Sequence, residues 1–360
     1  MVWTFYRAHD SFNSLRDHWD AINRAGCNHL LLDSIFWKPL IEYFASSRVQ
    51  LAVRDGESGE CIALVEPGRG GFWQTFQPAQ APLGPIMFDQ AGATHWPEHI
   101  STLMAALPAY PLGFSATQQD PAFSCLTDEG AGLVKEKLDY IETPRLTIAG
   151  CFEDYWKKRG KNLTHNLSRQ QRRIKERGDV LELLTDRNPG SVAKSIEEYG
   201  RLESTGWKGE EGTAVNRDNP QGLFYRRVLE DFCARSEGVI YRLTLNDKTV
   251  ASDLCLERNS TMVILKTAFD ESIQGISLGL LLHKEIFRNI FMEGRIKTIE
   301  FYGRVCDWHT KWTNEIRTMY HMNVYRSSWV ERAHRVLKAL HQYCHMRPSE
   351  KNVSWITRGK

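Results

Sequence analysis

Apolar and polar positions repeat in the same order twice along the chain. The first copy has an amphipathic helix over residues 36–44, then an apolar strand at 49–53. The turn Asp55-Gly56-Glu57-Ser58-Gly59 follows, and runs at 61–65 and 71–76 complete a three-stranded meander. The second copy, displaced by about 190 residues, has a helix at 223–236 and strands at 239–245, 249–257 and 261–268, with Asn246-Asp247-Lys248 as its turn. Helices alternating with short, half-apolar strands predict an α/β protein, of the α+β kind with mixed sheets, built from two similar units.

The copies part company after the third strand. In the second, the β-branched run 261–268 leads into Gln274-Gly275-Ile276-Ser277-Leu278-Gly279 and then a helix from about Leu280. Leu278, Leu282, Ile286 and Ile290 form one apolar row of that helix, and Leu280, Phe287 and Phe291 the next. A further strand is expected at 296–302. Unpaired N–H groups at such a helix start, aided by the helix dipole, suit a phosphate, and Gly275 and Gly279 let the backbone approach it closely. The first copy has Ala81-Pro82-Leu83-Gly84-Pro85 in the corresponding place, where two prolines remove N–H donors. The cofactor loop therefore belongs to the second unit. The expected division is residues 1–145, 146–330 and a terminal helix with tail at 331–360.

Two amphipathic stretches remain. Residues 152–178 carry Lys157, Lys158, Arg159, Lys161, Arg169, Arg172, Arg173, Lys175 and Arg177, with Leu163, Leu167 and Ile174 toward one side. This is either a solvated connecting helix or a surface for an anionic partner: a CoA phosphate, a carrier-linked or membrane-surface substrate through 157–177, or RNA. Near the C-terminus, Val330, Ala333, Leu337, Leu340 and Cys344 form a stripe expected to dock on the core, with membrane-surface binding as the alternative.

Composition narrows the classes. The chain has 360 residues, 42% hydrophobic and 25% charged, with a net charge of +2, so any electrostatic partner must be met by a local patch. Its eight cysteines are scattered singly, with no zinc-type spacing; neither a metal nor a disulfide framework is expected. No signal pattern or membrane-length apolar run is present, and the reading is cytoplasmic without an integral membrane segment.

Four segments carry a family resemblance. Lys161-Asn162-Leu163 with Arg172-Arg173, Glu203-Ser204-Thr205-Gly206-Trp207-Lys208-Gly209 with Gly212-Thr213-Ala214, Phe269-Asp270 before Ile276-Ser277-Leu278-Gly279, and Glu300-Phe301-Tyr302-Gly303 through Trp312 resemble motifs of the CelD/BcsL branch of the GNAT superfamily. A more distant similarity is to the FemA/FemB-like aminoacyltransferases, which carry two GNAT-like domains. The resemblance covers about residues 150–325. It departs where Trp308-His309 replaces the usual Tyr-Lys, Glu300 replaces Asp, Leu278 replaces Pro and Ser277 stands for the loop's middle glycine.

The resemblance implies tandem GNAT-like domains and acyl transfer from acetyl-CoA or another acyl-CoA, as co-substrate, to an amine or hydroxyl of a small-molecule or glycan acceptor such as a polysaccharide precursor. The alternatives are an aminoacyl-tRNA-dependent FemA/FemB-like transferase and a non-catalytic scaffold in polysaccharide assembly. Residues 274–279 would hold the donor. Trp207, Lys208 and Asp270 are the substrate-binding candidates. Glu203, beside Trp207, and His309, with its ordinary titration range, are candidate bases, and Tyr302 is a candidate acid for the departing thiolate. Cys306 with His309 makes a poorer nucleophile pair, since no third group is evident to orient the imidazole.

Overall fold

The computed structural model describes residues 2–128, 132–204 and 215–345. Thirteen strands of these residues join in one mixed sheet. They are β1 (Thr4–Arg7), β2 (Gln50–Arg54), β3 (Cys61–Pro67), β4 (Phe72–Thr75), β5 (Ile86–Phe88), β6 (Gly113–Gln119), β7 (Val134–Thr147), β8 (Leu181–Asp186), β9 (Gly238–Leu245), β10 (Lys248–Arg258), β11 (Thr261–Phe269), β12 (Thr298–Glu300) and β13 (Glu315–Tyr325). The order across the sheet is β1-β2-β3-β4-β6-β13-β7-β12-β11-β10-β9-β8, with β5 beside β3.

The repeated pattern in the sequence is a repeated motif in space. In each copy a helix (Ser34–Phe44, then Pro220–Ala234) precedes an antiparallel meander (β2-β3-β4, then β9-β10-β11). A crossover containing a helix (Trp96–Ala106, then Leu278–Glu293) then returns to a parallel neighbour, β6 beside β4 and β12 beside β11. The leading helices begin at side-chain caps: Asp33 accepts from the Ile35 N–H, and Asn219, followed by Pro220, accepts from the Gly222 N–H. The two helices meet through Phe36 and Phe44, whose rings lie 5.5 and 6.0 Å from Phe224. One apolar cluster thus runs through both halves.

Strand β10 is buried along nearly its whole length. Helices 192–204 and 220–234 contribute with it to one apolar cluster, while the helix Leu278–Glu293 brings Leu281, Leu282, Ile286, Phe287 and Ile290 to another. That helix ends at Gly294, whose φ of 67° makes the left-handed terminus that glycine adopts without strain. The basic helix Lys161–Glu176 buries Leu163, Leu167, Gln170 and Ile174, a one-face spacing, and leaves its cations in solvent.

Three expectations change. The strand expected at 296–302 is paired only over Thr298–Glu300. Strand β13 inserts between β6 and β7, so a C-terminal strand pairs directly with the first half. The terminal helix Ser328–His345 does not bury its expected stripe. Val330 is half-buried, but Ala333, Leu337 and Leu340 are exposed; the Cys344 side chain lies outside those described. The helix turns its Val330–Glu331–His334 side inward instead, where His334 stacks against Phe72 and Tyr325.

Candidate active site

Strands β11 and β12 run parallel from Thr261 and Thr298 to Val263 and Glu300, and no further. Beyond that point β11 continues to Phe269 paired with β10 on its other edge. A bulge accompanies the separation: Cys255 pairs with Ile264 and Leu254 with Lys266, which leaves Leu265 as an extra residue. A bulge re-aims the local backbone and frees it from regular pairing. The gap is a cavity of about 450 Å³, walled by β11, the loop and helix start at 276–280, Phe301, Trp308 and His309. Its size and apolar lining are those of a site for a small organic ligand.

The glycine loop reaches this cavity through Ile276–Gly279. The helix begins at Leu278, two residues earlier than expected, and its first intrahelical bond is from the Leu281 N–H to the Ser277 carbonyl. The N–H groups of Leu278, Gly279 and Leu280 thus have no carbonyl partner within the helix. Gly275 has a φ of 79° and open space where a Cβ would stand, whereas a Cβ on Gly279 would lie 3.3 Å from the Phe269 ring. Gln274 is turned outward and donates to the Glu271 carbonyl at 2.9 Å.

Ser277, the departure from glycine, has a partner. The buried Gln170 of the basic helix accepts from the Ser277 N–H at 2.8 Å and donates to its hydroxyl at 3.1 Å. The basic segment thereby clamps the loop, and one loop N–H is already committed. A second cavity of about 460 Å³ adjoins the first at Ser277 and Leu280, and Lys158, Arg159 and Lys311 lie on its wall. An apolar chamber and a cationic chamber therefore meet at one helix N-terminus.

His309 lines the apolar chamber but is not poised as the expected base. Its Nδ1 accepts from the Cys306 backbone N–H at 3.0 Å, which leaves the ring proton on Nε2. Burial, then the neighbouring His283, pull its pKa down to about 4. It is a neutral hydrogen-bond donor, stacked on Trp308 with ring centroids 3.5 Å apart.

His283 was not singled out by the sequence. It lies one helical turn beyond Gly279 and packs between Phe287 and Trp308. Its Nε2 is 3.1 Å from Oδ2 of Asp253, a carboxylate on β10 with no exposure, but the two are not aligned as a hydrogen bond, and neither ring nitrogen nor either Asp253 oxygen has a hydrogen-bond partner among the described residues. A faint signal was present: Ser252-Asp253 interrupts an otherwise apolar strand.

The other candidates fall on the far side of β11 or outside the cavity wall. Glu203, at the end of the helix Val192–Ser204, is buried rather than exposed, accepting from Lys266 Nζ at 2.8 Å and the Val215 N–H at 2.7 Å. Lys266 belongs to the cavity wall, but its ammonium lies with Glu203 beside the Tyr199 and Tyr225 rings, 6.0 and 5.4 Å from their centroids, in the other apolar cluster. Tyr302 has a φ of 48° and points its hydroxyl into the first half, donating to Asp120 at 2.9 Å with His29 Nε2 also at 2.9 Å. Burial, first, and the Asp120 charge raise its pKa well above the usual range. It is poorly placed to protonate a thiolate in the cavity. Asp270 is spent on the turn before the loop, accepting from the Ser272 N–H at 3.1 Å and lying 3.6 Å from Lys248. The Ser272 hydrogen bonds hold its pKa below the ordinary value. Trp207 and Lys208 lie outside the described residues.

In the first half, the space between β4 and β6 holds the proline loop itself. Gln77 donates to the Ala81 carbonyl and accepts from Thr117, and a Cβ on Gly84 would stand 2.0 Å from the Thr117 carbonyl oxygen. This half has no open glycine loop at the corresponding position.

A parallel strand pair that separates over a bulge, with a helix N-terminus at the opening, agrees with the sequence family. Residues 161–310 match the acetyltransferase (GNAT) domain model. The chain thus carries a GNAT-like domain in a mixed α/β fold. No curated protein matches the sequence. Among solved structures, the C-terminal domain of a protein assigned as a lysylphosphatidylglycerol synthetase from Agrobacterium fabrum is similar at 15% identity, with 88% of this chain and 96% of that one covered and a TM-score of 0.52. FemX is similar at 10% identity, covering 91% and 98%, with a TM-score of 0.52. A conserved protein of unknown function from Bacteroides thetaiotaomicron is similar at 12% identity, covering 91% and 100%, with a TM-score of 0.50. At these identities the likeness is one of fold, and it extends over both halves of the chain.

Proposed function

We propose that the protein is an acyltransferase of the CelD/BcsL type, moving an acyl group from a CoA thioester to an amine or hydroxyl of a sugar or polysaccharide precursor. The observation that carries the reading is the apolar cavity opening onto the N-terminus of the helix Leu278–Glu293, with the cationic chamber adjoining it. The residues present fit such a donor: open space at Gly275, helix-start N–H groups at 278–280 for phosphate oxygens, and an apolar chamber for the thioester arm. When bound, a CoA thioester supplies an activated carbonyl and a thiolate leaving group. Lys158 and Lys311 would offset phosphate charge, and His309 Nε2–H would donate to oxygen or sulfur as charge develops there. His283, on the cavity wall with the Asp253 carboxylate 3.1 Å from its Nε2, would take the acceptor's proton, the adjacent carboxylate favouring the imidazolium that forms. Residues 146–330 would hold donor and chemistry, and 1–145 would face the acceptor.

The first test is thermal shift with acetyl-CoA and longer acyl-CoAs, since a ligand of the native state raises its apparent stability. A rise with at least one thioester is expected; no rise with any of them at saturation would refute the reading. Thiol release with candidate acceptors should then be lost in His283→Gln and His309→Ala variants that retain the native melting temperature. Transfer that survives both substitutions would remove these histidines from the mechanism.

A second reading, an aminoacyl-tRNA-dependent transferase, draws on the exposed cations of the Lys161–Glu176 helix beside the clamped loop. It requires salt-sensitive tRNA binding that weakens in Arg172→Glu and Arg173→Glu variants. A thermal shift with CoA thioesters, with no tRNA binding at low salt, excludes it.

A further inference from the structure

The terminal helix Ser328–His345 shows solvent the face that an ordinary docked helix would bury. Trp329, Ala333, Val336 and Leu340 follow one another at steps of four, three and four residues, so they share one side. Trp329 is 75% exposed, Leu337 65%, Val336 58% and Leu340 55%. The inner side is taken by Val330, Glu331 and His334, so this outward stripe is not the packing surface. Leu112 extends the apolar area: it is 41% exposed and shares with Leu337 the rim of a groove of about 910 Å³. Monomeric soluble proteins seldom leave an aromatic and several aliphatic side chains together in water without a partner.

Among the described residues, the exposed charges of the helix and groove are cationic, while Glu331 and the groove's Glu66 are half-buried. Arg332, Arg335 and Lys338 are exposed on the helix, and Arg48 and Arg69 are exposed on the groove. The helix's Glu331 is half-buried and paired with Arg335 at 2.6 Å. Arg332 lies over the Trp329 ring, its guanidinium carbon 5.4 Å from the centroid. An amphipathic indole beside arginines, above a row of aliphatic side chains, suits the boundary between lipid headgroups and acyl chains: the stripe enters the apolar layer and the cations meet anionic headgroups.

We propose that this face is a membrane-surface site that docks the protein, in the plane of the interface, on a bilayer containing anionic lipid. Nothing spans the bilayer in this arrangement; no helix of the described residues is long and apolar enough to cross one. RNA would answer the cations but not the tryptophan and aliphatic row, and a second copy would bring the same cations face to face.

The test is co-sedimentation of the full chain with vesicles of phosphatidylcholine alone and of phosphatidylcholine with phosphatidylglycerol, at low and high salt. Binding is expected to the anionic vesicles, to weaken at high salt, and to fall roughly tenfold in Val336→Ser/Leu340→Ser. Arg332→Glu/Lys338→Glu should weaken it as well, and both variants should keep the native melting temperature. No sedimentation with anionic vesicles overturns the proposal, as does undiminished binding by both double variants. It is overturned equally if the serine variant abolishes a concentration-dependent dimer or an RNA mobility shift while vesicles remain unbound. Binding that appears only after removal of residues 346–360 would show that the chain's own end covers the face, and would also overturn it.

Discussion

Ser277 shows how one side chain changes the meaning of a motif. The backbone N–H at this position donates to Gln170 and would do so from a glycine too; the serine hydroxyl adds a second hydrogen bond, accepting from the Gln170 amide, that tightens the clamp. Glu203 is similar: with Lys266 it forms a buried pair, and Glu203→Ala leaves a lysine ammonium without its carboxylate. The expected cost is about 3 kcal/mol, read from urea unfolding, because a stranded charge costs more than the pair contributes. Two buried histidines contribute to the response to acid, beside His99 and His321, whose pKa values burial also lowers. His29 and His309 both have pKa values lowered to about 4, chiefly by burial. Between the unfolded value near 6.5 and the folded value, the unfolded chain binds more protons, so stability falls as pH drops through this window and levels off below it. These two histidines should each lower the unfolding free energy by about 2 kcal/mol from pH 7 to pH 5, and His29→Gln should make the decline smaller by about that amount. An unchanged decline in this variant would disprove the assignment.

At the scale of elements, the site is made by two strands that stop being neighbours. Three paired residues of β11 and β12, a bulge at Leu265 and a helix starting at Leu278 define the opening. Gly279 stands where a side chain would enter the opening itself. Its missing Cβ would meet Phe269 at 3.3 Å, and a branched side chain there would also lie over the loop. Gly279→Val should weaken acyl-CoA binding by roughly tenfold or more, measured by calorimetry, while the melting temperature changes by only a few degrees because Phe269 is partly exposed and able to move. The period-two and helical patterns made both meanders, the loop and its helix legible, because each has an apolar face repeating at its own period. Strand β7 was not legible, since Val134–Thr147 is rich in charged and polar residues and half-exposed along much of its length. Its strand character comes from pairing with β13, a contact far away in sequence.

For the whole molecule, the two similar halves are sewn into one sheet by β13, which pairs with β6 on one side and β7 on the other. Arg317 on that strand bridges to Asp120 from the first half, with an Nε–Oδ1 distance of 2.8 Å, and to Glu300 at 2.7 Å. Unfolding by urea should therefore give a single transition with coincident far-UV and tryptophan-fluorescence curves. Two separated transitions would show that the halves are independent. A fragment of residues 146–360 is expected to be insoluble or molten, because it would present β13 without β6 or β7, β12 without β7, and the Pro220–Ala234 helix without Phe36 and Phe44.

The sequence by itself determined the duplicated meander, the glycine loop at a helix start, the proline-filled counterpart in the first half, and the basic helix with its buried leucines. These are written in local periodicity and in the backbone demands of glycine and proline. Only the tertiary structure decided which ionisable groups face the cavity. His283 and Asp253 meet from a helix and a strand, Tyr302 turns away to Asp120 and His29, and Glu203 is engaged by Lys266. Each of these outcomes depends on which face of an element lies against which neighbour, and on partners separated by up to 273 residues. Local pattern carries no record of such pairings.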